Sequence, residues 1–85
     1  MQVREVRLAN PHGLHARPSA KLVEVASRFR SDVTLVIQGR RANARHIVAV
    51  LLLAASVGST VRVEVAGPDE DSAISEIVAV LQNAR

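Results

Sequence analysis

Eighty-five residues make one small domain, spanning residues 1–85, and its core must be aliphatic: hydrophobic residues make up 48% of the chain, while Phe29 is its one aromatic. The absence of cysteine excludes disulfides and thiolate metal sites and fits a reducing cytosol, so the protein is expected to be cytoplasmic. A net charge of +3 favours anionic partners and specifies nothing finer.

In chain order, Gln2 to Leu8 alternates imperfectly and reads as a strand with a polar face. The same N-terminal stretch, MQVREVRLAN, mixes charged and apolar residues where a signal peptide would be continuously apolar. Asn10-Pro11-His12-Gly13 is turn chemistry. From Ala16 to about Phe29, Leu22, Val23, Ala26 and Phe29 recur at helical spacing, with Pro18 in the first turn. Ser19 and Ser27 read as ordinary serines of that helix's surface.

Asp32 to Ile37 (DVTLVI) is β-branched and reads as a strand. A tight turn at Gln38-Gly39-Arg40 and a brief polar strand, Arg41 to Asn43, follow. The longest apolar run, Ile47 to Ala55, is nine residues. That falls far short of the roughly 20 needed to cross a bilayer. Its alanines and leucines favour a helix stopped by Gly58. Thr60 to Ala66 (TVRVEVA) alternates strictly and is the clearest strand. Gly67-Pro68-Asp69-Glu70 opens a last helix, with the proline and the acids in its first turn and an apolar face of Ile74, Ile77, Val78 and Leu81. The order β-α-β-β-α-β-α predicts an α+β open-faced β-sandwich, a four-stranded antiparallel sheet with three helices on one face.

The chemistry concentrates in Gly13-Leu14-His15-Ala16-Arg17-Pro18. The first backbone N–H groups of a helix lack internal partners, and the macrodipole adds about half a positive charge there. A phosphoryl group on His15 would lie over the amides of Ala16 and Arg17, which makes this an anion site containing a nucleophile. Neutral imidazole is nucleophilic near physiological pH, and the Arg17 guanidinium is a fork suited to phosphate oxygens. Pro18 fixes the first turn and removes one N–H.

The segment NPHGLHARPSA is similar to the active-site segment of the histidine-containing phosphocarrier (HPr) family of the bacterial phosphotransferase system. Length, element order, the apolar second helix and the GPDED helix start extend the likeness over the whole chain. The resemblance implies a stoichiometric carrier that is not itself an enzyme. Enzyme I, charged by phosphoenolpyruvate, would phosphorylate Nδ1 of His15, and the group would pass to the EIIA domain of a sugar transporter. It further implies that Arg17 assists the phosphoryl group and that the first two helices share a docking face. That face carries over to Ala20, Ile47, Val48 and Leu51, with Arg17 and Lys21 as rim charges. No cofactor, metal or nucleic acid is implied, and a monomer is the default.

Three features stand apart. Many relatives carry a regulatory serine where this chain has His46. The residue is read as a partly exposed helix start and, on the docking face, as a candidate modulator of partner affinity with pH. The strongly apolar second helix also resembles the nitrogen-branch regulatory paralogue of the family. His12, three residues before His15, offers a second imidazole, but two imidazoles without a carboxylate or thiolate make a poor metal site. A small basic nucleic-acid binder is the reading from a different class. It is disfavoured by strands without aromatics and by scattered basic residues.

Overall fold

Strict alternation gives TVRVEVA one face for the core and one for solvent. In the computed structural model, which describes residues 1–8, 16–54 and 60–83, the elements run β1 (Gln2–Arg7), α1 (Ala16–Ala26), β2 (Asp32–Ile37), β3 (Arg40–Asn43), α2 (Ile47–Ala54), β4 (Thr60–Ala66) and α3 (Glu70–Gln82). The strands form one sheet in the order β1-β4-β2-β3, every pairing antiparallel. The expected element order and open-faced sandwich are both present.

Val61, Val63 and Val65 of β4 and Val33, Leu35 and Ile37 of β2 turn one face toward the helices and are buried. Their in-between neighbours Arg62, Glu64, Thr34 and Val36 lie on the other face, because successive strand side chains alternate. Leu22, Val25 and Ala26 of α1, Val50 and Leu53 of α2, and Ile74, Ile77 and Leu81 of α3 close the core. Each fully buried Leu, Ile or Val is worth about 1.5–3 kcal/mol relative to exposure. Leu8 lies just past the end of β1 rather than inside it, and is also buried.

The β2–β3 connection is tighter than the sequence implied. Ile37 pairs directly with Arg40, leaving a two-residue loop in which Gln38 (φ 50°) and Gly39 (φ 78°) both adopt positive φ. That is the primed hairpin geometry matching strand twist, so Arg40 belongs to the strand and not to the turn.

Helix α1 ends at Ala26, three residues earlier than the apolar spacing predicted. The spacing does not fail there; the hydrogen bonding changes. Arg28 N–H bonds the Val25 carbonyl and Phe29 N–H the Ala26 carbonyl, a tightened i→i−3 turn that still lays Phe29 against the core. Ser19 is also corrected. It is fully buried, on one stripe with Leu22 and Ala26, and its hydroxyl has no hydrogen-bond partner among the described residues. Ser27 is exposed as expected, its hydroxyl donating to the Val23 carbonyl at 2.7 Å.

Pro68 precedes α3 instead of entering its first turn, which holds Glu70 and Asp71. Asp69 is the cap residue, but its carboxylate does not bond its own helix. It accepts the backbone N–H groups of Arg30 and Ser31 at 2.9 Å each and the Ser31 hydroxyl at 2.5 Å. Gly67 (φ 152°) lets the chain pass Ser31, since a Cβ there would sit 2.6 Å from the Ser31 Cα. For α2, the expected last residue Ala55 and the stop at Gly58 lie outside the described residues.

Candidate functional site

Helix α1 begins at Ala16, the residue that follows His15 in the chain. His15, His12 and the turn at residues 10–13 lie outside the described residues, so the geometry available is that of the helix start itself. Ala16, Arg17 and Ser19 supply first-turn N–H groups, and Pro18, third in the helix, has none to leave unpaired. No acid occupies this first turn, so the positive end of the helix is not offset locally.

Arg17 is exposed and has no ion-pair partner among the described residues. Neighbouring cations differ. Arg28 lies 2.6 Å from Glu24, Lys21 lies 3.9 Å from the same carboxylate, and Arg62 and Arg41 both reach Glu64. A guanidinium left without a counter-ion beside a helix N-terminus is a local excess of positive charge that an incoming phosphate would neutralise.

The residues expected to dock partners fall into two places. Lys21 follows Arg17 along the flank of α1 that faces α3, where both line a cavity of about 490 Å³ together with Pro18, Val25, Ala79 and Val80. Ala20 is exposed and lies about 100° around the helix from Lys21. Helix α2 bears the second group: Ile47 (38% exposed), Val48 (66%) and Leu51 (39%) form an outward apolar face, while Val50 and Leu53 go into the core. Leu52, 69% exposed, is also outward although the resemblance does not carry the docking face over to it. An eight-residue helix without a polar side chain gives no sequence mark of which side meets water.

His46 is exposed and precedes α2 as its cap, its carbonyl accepting the Val50 N–H at 3.0 Å. The turn before it is set by Asn43, whose side-chain oxygen accepts the Arg45 N–H at 2.9 Å. The Arg45 guanidinium reaches across to the carbonyls of Phe29 and of Ser31, the latter at 2.9 Å, tying the start of α2 to the chain leaving α1. Sequence reading did not identify Arg45, because a lone arginine between a strand and a helix carries no signal of the carbonyls it will meet. Asp69 fixes the same segment from the other side. The hydrogen bond from the Ser31 hydroxyl, with that from the Arg30 N–H, holds its carboxyl below the usual carboxylate range against a smaller opposing effect of burial.

A family model described as "PTS HPr component phosphorylation site" matches residues 2–83. The chain is 43% identical over 83 residues to the phosphocarrier protein HPr of Cupriavidus necator, covering 98% of this chain and 93% of that one. It is 46% identical over 83 residues to the phosphocarrier protein HPr of Treponema pallidum, covering 98% and 94%. Among solved structures, an HPr from Thermoanaerobacter tengcongensis superposes with a TM-score of 0.85 at 33% identity, over 95% of this chain and 91% of that one.

Proposed function

The chain belongs to the HPr family of the phosphotransferase system, a family of phosphocarriers, and from that premise we propose that His15 is the residue that carries the phosphoryl group. One observation carries the assignment to this site: α1 opens at Ala16, directly after His15 in the chain, with an exposed Arg17 that has no ion-pair partner among the described residues. A nitrogen lone pair of His15 attacks the phosphorus held by enzyme I, a new P–N bond forms, and the bond to the donor breaks. The first-turn amides of Ala16 and Arg17 and the Arg17 guanidinium take up the charge of the transferred group, and Pro18 keeps the turn in place.

The phosphoryl group then passes to an EIIA domain by the reverse kind of step. The carrier is consumed and regenerated stoichiometrically, and catalysis lies with its partners. Ala20, Lys21, His46, Ile47, Val48 and Leu51 serve as exposed docking residues on α1 and at and along α2, where an apolar patch beside charged residues suits protein partners. The protein works as a monomer in the cytoplasm, a single domain offering that patch to successive partners. The nucleic-acid reading loses ground because Arg41 and Arg62 on the open face of the sheet are paired with Glu64, at 2.5 Å and 3.1 Å.

Imidazole-nitrogen NMR tests the assignment. On addition of enzyme I and phosphoenolpyruvate, Nδ1 of His15 should become coupled to phosphorus while His12 and His46 stay unmodified. Coupling at either of the other histidines would move the site. Offering the charged protein sugar-branch and nitrogen-branch EIIA domains separately then assigns the branch by which one discharges it.

A further inference from the structure

Arg17, Lys21 and Arg28 recur along one flank of α1 and the turn after it, facing the side of α3 that carries Ala79 and Val80. Between these walls lies the cavity of about 490 Å³, within the roughly 300–1,000 Å³ of small-molecule sites. Its lining is mostly apolar and includes the three cations, and Glu76 is the one carboxylate that lines it among the described residues.

The three cations are not equivalent. Glu24 holds Arg28 at 2.6 Å and Lys21 only loosely at 3.9 Å, while Arg17 has no such partner among the described residues. Arg17 and Lys21 are one helical turn apart, so their side chains are neighbours able to converge on one anion. The anion-seeking end of the groove is therefore at Arg17 and Lys21, and its apolar wall is Val25, Ala79 and Val80.

We infer that the α1–α3 groove binds a small organic phosphate monoester, its phosphate between Arg17 and Lys21 and its apolar body against Val25, Ala79 and Val80. The forked guanidinium and the ammonium together match a dianion, which a phosphate monoester supplies at neutral pH. The consequence for transfer rests on the function proposed above. Arg17 cannot serve a bound monoester and the phosphoryl group on His15 at once, so occupancy of the groove slows phosphorylation of His15.

Titration of the full chain, labelled with nitrogen-15, with phenyl phosphate tests the site. Amides of residues 17–28 and 76–83 should shift saturably. Binding should be about tenfold tighter than for inorganic phosphate, the gain expected from burying part of a phenyl ring. Ala79→Glu, at an exposed helix position, should weaken phenyl phosphate by about tenfold with the rest of the amide spectrum unchanged, since it sets a carboxylate against the ligand. Equal affinity for phenyl and inorganic phosphate, or shifts confined to residues 16–18, would overturn the groove and leave a bare helix-terminus anion effect. Saturating phenyl phosphate should also slow phosphohistidine formation in the wild type, and an unchanged rate would overturn the competition. The two readings fail separately: binding without any phosphorylation of His15 refutes the carrier function alone, and phosphorylation without binding refutes the groove alone.

Discussion

At the scale of single residues, charge decides the chemistry and hydrogen bonding decides the frame that holds it. Arg17 is free to meet an anion among the described residues, so Arg17→Ala should slow phosphohistidine formation by about tenfold to a hundredfold, the weight of a charge-assisted hydrogen bond. Arg17→Lys should fall between the two, and thermal unfolding should barely change in either variant. Asp69 acts on the frame instead. Its carboxyl titrates below the ordinary range because the Ser31 hydroxyl and the Arg30 N–H bond its charged form. A folded-state value lower than the unfolded one means stability is present above the ordinary carboxylate range and lost as pH falls through the folded-state value. Urea unfolding of wild type and Asp69→Asn should therefore differ at pH 7 and converge in acid. A gap that stays constant with pH would contradict this role.

At the scale of elements, what was legible follows from periodicity and what was not depends on contacts between distant segments. The alternation of Val61, Val63 and Val65 announced β4, and Leu22 and Ala26 announced the buried stripe of α1. The same stripe carries Ser19 into the interior, which its polar character disguised. The early end of α1 was hidden because Arg45 and Asp69, far along the chain, hold the backbone of residues 29–31. The start of the candidate site was legible as a motif, whereas the groove beside it needs α3 in place and has no local signature. The hairpin offers a direct check on backbone strain: Gln38 holds φ 50°, which asparagine tolerates better. Gln38→Asn should raise stability by about 0.5–1 kcal/mol in urea unfolding. On α2, Leu52→Asp should leave stability within about 0.5 kcal/mol, since the side chain is 69% exposed. It should nonetheless weaken association with enzyme I by about tenfold or more, measured by calorimetry.

At the scale of the whole molecule, the sheet and α3 supply most of the buried core, α1 carries the exposed Arg17, and α2 carries an exposed apolar patch. Ile47, Val48, Leu51 and Leu52 stand in water although Val50 and Leu53 of the same helix are buried, so the apolar residues exceed what folding uses. Among the described residues no helix is long and apolar enough to cross a membrane. One histidine next to one helix start holds the phosphoryl group in the function proposed for this molecule. Intact mass of the chain after incubation with active enzyme I and phosphoenolpyruvate tests that most directly. A single phosphoryl mass that is acid-labile and absent from His15→Ala is the result predicted. An unchanged wild-type mass, or a phosphoryl mass that persists in His15→Ala, would contradict it.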